Sequence, residues 1–138
     1  MTSFSNLADA KAIEAEMPWA DRPVARTMHG FLGATRAAHG TRPAISYQLL
    51  SGPCTKAMTL TWNDLFAQVT QAANLFRSLE VGPKDVVAYV LPNCLETAVV
   101  LLGGMVAGIA NPINPLLEAD QISSILRETK ARVVVTLK

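Results

Sequence analysis

Between residues 85 and 115 the chain reads DVVAYVLPNCLETAVVLLGGMVAGIANPINP. An apolar run, a sharp Pro92-Asn93 turn, a long apolar helical stretch and a second short apolar run follow one another with almost no charge. Short continuous apolar runs suit strands covered on both faces, and two of them joined by a helix form a βαβ unit of a parallel sheet. No phosphate-gripping loop, metal cluster or acid/base constellation accompanies this unit within the 138 residues.

The length is that of one domain, enough to bury a core and short for an enzyme with two substrates. Half of the residues are hydrophobic, 17% are charged and the net charge is +1, which points to neither nucleic acid nor an anionic membrane as partner. So few charges imply an apolar surface and a neighbour that covers part of it: an oligomer or a larger parent chain. Cys54 and Cys94 lie far apart with no secretory pattern ahead of them, so reduced thiols in a cytoplasmic protein are expected. The uncharged stretch between Glu96 and Glu118 has about the ~20-residue length of a membrane span. Asn111, Pro112, Asn114 and Pro115 break it, and no transmembrane segment is expected.

Residues 1–23 sustain no apolar period and are read as a loosely ordered arm ahead of a partial domain over 24–138. Met28, Phe31, Leu32, Thr35 and Ala38 recur at helical spacing over 24–39, and Gly40 is placed to end that helix. Residues 44–50 and 58–62 predict a hairpin about Ser51-Gly52-Pro53. Thr61 and Asp64 form a capping pair for a helix whose apolar face is Leu65, Val69, Ala72, Phe76 and Leu79. Val81-Gly82-Pro83 should close it, with Gly82 taking the left-handed cap. Strand 86–91, a helix over 94–107 capped by Asn93 with Glu96 reaching back, strand 109–113, helix 118–128 and strand 132–137 complete the pattern. The fold class is therefore α/β: a parallel βαβαβ layer with right-handed crossovers, preceded by a helix and a β-hairpin.

Taken in order, Thr59-Leu-Thr-Trp-Asn-Asp-Leu65, Val81-Gly-Pro-Lys-Asp-Val-Val-Ala88, Leu91-Pro-Asn93, Gly108, Ile113-Asn-Pro115 and Ala131-Arg-Val-Val-Val135 resemble the opening of one family. It is that of the adenylate-forming enzymes, the AMP-forming acyl-CoA synthetases, and the likeness runs over about 24–137. The resemblance implies the N-terminal subdomain of a synthetase that activates a carboxylate with ATP and passes the acyl group to coenzyme A. The Ile113-Asn-Pro-Leu116 turn looks most like the branch that takes fatty or aromatic acids. That family's phosphate loop, ribose-binding acid and arginine, and mobile-domain lysine have no counterpart here. No residue is assigned a catalytic, cofactor-binding or metal role. ATP, Mg and coenzyme A are expected for a full-length parent and none for this chain alone, which is expected to be inactive.

Several residues invite a site and have a plainer reading. Gly103 and Gly108 have P-loop spacing, but Ile109-Ala110 stands where lysine and a hydroxyl residue are needed, so close helix-to-sheet packing and a helix end account for them. The segment 51–56 faintly echoes a phosphate loop yet falls between two strands, as a hairpin tip does. Cys94 at a helix start could be an activated thiol, though apolar neighbours favour a buried, inert one. His29 and His39 do not have a metal-binding spacing and read as surface residues. The stripe from Leu65 to Leu79 reads as core before it reads as a docking face. Two functions stay open: a piece of a synthetase, partnered by the remainder of the parent or by itself through an exposed sheet edge and apolar face, or a stand-alone, non-catalytic binding module. A third, a small doubly wound nucleotide-binding protein, needs a Gly-rich turn that Leu91-Pro92-Asn93 does not supply.

Overall fold

The computed structural model of the chain describes residues 6–53 and 57–137. In chain order it forms α1 (Leu7–Glu16), a short 3-10 turn (Trp19–Asp21), α2 (Met28–His39), β1 (Pro43–Tyr47), β2 (Met58–Thr61), α3 (Trp62–Ser78), β3 (Val86–Val90), α4 (Leu95–Ala107), β4 (Ile109–Pro112), α5 (Ala119–Glu128) and β5 (Ala131–Thr136). The strands β1 and β2 pair antiparallel, and β3, β4 and β5 make a separate parallel sheet in the order β4-β3-β5. This is the α/β layer that the apolar runs predict.

The capping box predicted for α3 is present. The Thr61 hydroxyl accepts from the Asp64 amide at 3.2 Å while the Asp64 carboxylate accepts from the Thr61 amide and hydroxyl. Those bonds to the ionised form hold the Asp64 carboxyl below its ordinary pKa. Leu65, Val69, Ala73 and Phe76 bury their side chains on one face of α3, whereas Leu79, predicted to join them, is 48% exposed. It stands at the C-cap, where the chain has left the helical path. Likewise Phe31 of α2 is exposed, and Leu32 alone of that helix is buried.

Two apolar clusters share α3 and α4. One joins Phe76, Val81, Val87 and Ala107; the other joins Leu32, Leu65 and Val69. A Cβ on Gly103 would lie 2.8 Å from the Ala72 Cβ of α3, and one on Gly104 3.2 Å from the Ala110 Cβ of β4. The close helix-to-sheet contact predicted at Gly103 is thus made by its neighbour Gly104, and Gly103 admits the helix α3 instead. A Cβ on Gly108 would come within 2.5 Å of the Asp85 carbonyl oxygen, so the chain can pass there only as glycine.

Two predicted helix ends are placed differently, and one helix was not predicted. Gly82 does not take the left-handed cap; Glu80 does, at φ 62°, and Gly82 instead donates its amide to the Asp85 carboxylate at 2.7 Å in the turn before β3. The N-cap of α4 is Cys94, not Asn93, and no side chain caps it. The local hydroxyl there, Thr97, donates to the Pro92 carbonyl oxygen at 2.5 Å, tying the helix to the turn it leaves. Residues 7–16, which lack an apolar period, nevertheless form α1, started by Asn6 accepting from the Asp9 amide and burying no side chain.

The sheet has two unlike faces. Val87 and Ala110 pack under α4, so alternation turns Ala88 and Asn111 the other way. There the Asn111 amide donates to Thr129, just after α5, at 3.4 Å. The path from β3 to β4 and back past β3 to β5 puts its two helices on opposite faces when both crossovers have one hand.

Candidate functional site

Open parallel sheets take ligands in the crevice beyond the carboxyl ends of their strands, where the strand order reverses. Here the order β4-β3-β5 reverses between β3 and β5, so that crevice is rimmed by Leu91, Pro92 and Cys94 after β3 and by Leu137 after β5, with Ile113 and Asn114 after β4 beside it. Leu91 and Ile113 are buried, and the Ile113 amide donates to the Tyr89 carbonyl oxygen at 2.9 Å. Asn114 accepts the Leu116 amide at 3.0 Å, so its side chain is committed to its own turn. Burial pushes the Tyr89 phenol above its ordinary pKa and keeps it neutral. The Cys94 sulfur is half-buried, less than predicted, and lies 3.2 Å from the Thr97 hydroxyl with no base beside it. This rim is a folded wall, with its polar groups satisfied locally.

A second concavity, of 640 Å³, opens at the other end of the sheet, between the start of α2, the C-terminal half of α3 and the end of α4. Arg26, His29, Thr70, Asn74 and Arg77 supply its polar groups, and Met28, Ala73, Met105, Val106 and Ala107 its apolar lining. Arg77 donates through Nη2 to the Val106 carbonyl oxygen at 3.3 Å. Arg26 donates through Nη2 to the carbonyl oxygens of Trp19 and Ala20 and lies over the Trp19 ring. His29 stacks at 4.9 Å between ring centroids on Phe66, with Nε2 3.4 Å from the Thr70 hydroxyl.

The residues singled out in the sequence do not converge. His29 lines the cleft, while His39 is exposed at the far end of α2. Gly103 and Gly108 are packing positions, Gly103 against α3 and not against the sheet, and Cys54 and Lys56 lie outside the described residues. Among the described residues no three His, Cys, Asp or Glu side chains gather to hold a metal ion. Arg26, Asn74 and Arg77 were not foreseen. Thr70, Asn74 and Arg77 do recur at helical spacing, a signal the sequence offers, but only the packing of α2 on α3 brings Arg26 and His29 to them.

The profile of a family described as AMP-binding enzyme matches residues 33–138. The chain belongs to that family. Within the AMP-binding enzymes, it is 33% identical over 136 residues to marinolic acid–CoA ligase of Pseudoalteromonas sp. (strain SANK 73390), a match that covers 96% of this chain and 20% of the relative. Surfactin synthase subunit 1 of Bacillus subtilis is 26% identical over 82% of this chain, which spans 3% of that protein. The fold is shared with a Mycobacterium tuberculosis fatty acyl CoA synthetase, at TM-score 0.68 and 23% identity over 80% of this chain and 21% of that one. It is shared too with the fatty acid AMP ligase from Legionella pneumophila, at TM-score 0.73 and 17% identity over 82% of this chain and 20% of the other. The chain thus spans about a fifth of the acyl-activating relatives it matches. No helix among the described residues is long and apolar enough to cross a membrane.

Proposed function

We propose that this chain is the opening segment of an AMP-forming acid:CoA ligase, and that on its own it is inactive. In the parent, a carboxylate oxygen attacks the α-phosphorus of ATP, expelling pyrophosphate and leaving an acyl-adenylate. The thiol of coenzyme A then attacks the acyl carbon, and AMP departs with the electrons of the broken C–O bond. The observation that carries this reading is the 33% identity to a CoA ligase along nearly the whole chain. The parent's acid is an organic carboxylate, and its location is the cytoplasm, where ATP and coenzyme A are at hand. This segment forms a wall beneath the substrate cleft, and ATP, Mg and coenzyme A are bound by other segments. Its partner is the remainder of the parent, against the exposed sheet edge and the apolar face that α5 covers only in part, or a second copy when that remainder is missing.

Purified chain supplied with ATP, magnesium, a panel of carboxylic acids and coenzyme A should release no pyrophosphate above a blank, and clear turnover would sink the proposal. An immunoblot of source cells should show a band several times larger than 14.8 kDa. A band only at that mass would favour the stand-alone binding module.

A further inference from the structure

We propose that the cleft between α2, α3 and α4 binds an amphipathic organic phosphate, its phosphate held by Arg77, Arg26 and His29 and its apolar body lying on Met105, Val106 and Ala107. The volume, 640 Å³, is within the ~300–1,000 Å³ of small-molecule sites. The lining contains two arginines and a histidine and no aspartate or glutamate. Among the described residues the ion pair is Arg132 with Glu80, away from the cleft, so neither arginine here has a carboxylate partner. In a chain with 12 basic and 11 acidic residues, that local excess is a feature of placement and not of composition.

Each guanidinium is held by one nitrogen and open at the rest. Arg77 spends one Nη2 hydrogen on Val106, which leaves a bidentate edge open, whereas Arg26 gives Nη2 to the Trp19, Ala20 and Arg22 carbonyl oxygens, which leaves its Nε and Nη1 as single donors without a hydrogen-bond partner among the described residues. The fork that Arg77 keeps suits bidentate anion recognition, and Arg26 adds single charged donors. The Arg77 fork, the single donors of Arg26, His29 and the Asn74 amide offer more donors than the two oxygens of a carboxylate can accept, whereas a phosphate monoester has three oxygens and up to two charges. Thr70 adds none, its hydroxyl donating to the Phe66 carbonyl oxygen at 2.7 Å. The apolar lining has no use for inorganic phosphate, and methionine adapts to varied apolar shapes. Pro83 and Gly108, which line the cleft, precede β3 and β4. The site is therefore at the opposite end of the sheet from the Leu91 and Ile113 rim, and it does not rest on the parent activity proposed above.

The test is a titration of the isotopically labelled 138-residue chain with hexyl phosphate, hexanoate and inorganic phosphate, followed by amide NMR. Hexyl phosphate should give saturable shifts at His29, Arg77 and Gly108, with hexanoate and inorganic phosphate each at least about tenfold weaker. Arg77→Gln should weaken hexyl phosphate about tenfold, and Arg127→Gln, on α5, should leave it unchanged. Arg26→Gln gives the same reading should Arg77→Gln fail to keep the wild-type melting curve. Absence of saturable shifts at these amides, equal binding of hexanoate or inorganic phosphate, or indifference to both cleft substitutions overturns the proposal.

Discussion

Glu80 at φ 62° and Lys130 at φ 51° are the two described non-glycine residues with a left-handed backbone, and each stands just past the end of a helix. For an L-residue that conformation costs about 1 kcal/mol or more. At Glu80 part of the cost is offset, because its carboxylate pairs with Arg132 at 2.6 Å, a contact worth at most ~1 kcal/mol at this exposure. Lys130 has only its amide bond to the Arg127 carbonyl oxygen. Lys130→Gly should therefore stabilise the chain by about 0.5–1 kcal/mol, read as a higher midpoint in urea, and Glu80→Gly should gain less. A lower midpoint for Lys130→Gly would show that its strain is absent in solution. The same positions explain what residue-level reading missed. Glycine and asparagine are the usual helix punctuation, so Gly82 and Asn93 drew the eye, yet the chain turns at Glu80 and Cys94 because the neighbouring strands set where each helix must stop or start.

At the scale of elements, an all-round apolar sequence such as that of α4 has no solvent face to offer and must pack on both sides. Which side met which partner was not legible, because Gly103 and Gly104 are adjacent and identical. The structure separates them: Gly103 lets α3 approach through Ala72, and Gly104 lets the sheet approach through Ala110 and Val87. Gly103→Ala should thus destabilise by about 1–3 kcal/mol through overpacking, although alanine in a helix is otherwise favoured by ~1 kcal/mol. Ala72→Gly removes the opposing methyl, so the double substitution should cost less than the two single costs added together. Urea unfolding of the three variants measures that difference, and additive costs would mean that the helices do not touch there. The cleft was half legible in the same sense. Its α3 stripe follows from spacing, while Arg26 falls in the predicted helix 24–39 but ahead of the observed start of α2 at Met28, and joins the stripe only through tertiary packing. The short helix α1 escaped for a related reason: Asn6 starts it, and nothing in its sequence needs burial.

For the whole molecule, the low charge content found its explanation in the sheet. Its core is apolar, with no polar side chain among the buried residues described, and one face lies under α4. On the other face, which α5 covers only in part, Ile109 of β4 is 49% exposed and Val134 of β5 45% exposed, and among the described strands β4 and β5 each pair on one side only. Exposed apolar side chains beside unpaired strand edges are a template for association, which lysine on such a strand opposes. On the reading that this face meets the remainder of a parent enzyme, the 138-residue chain alone should self-associate across the micromolar to millimolar range. Sedimentation velocity should show its mass rising with concentration, and Val134→Lys should hold it nearer to a monomer without changing its circular dichroism. If the unmodified chain stays monomeric throughout, the face needs no cover, and the stand-alone module displaces the synthetase segment as the better account of the fold.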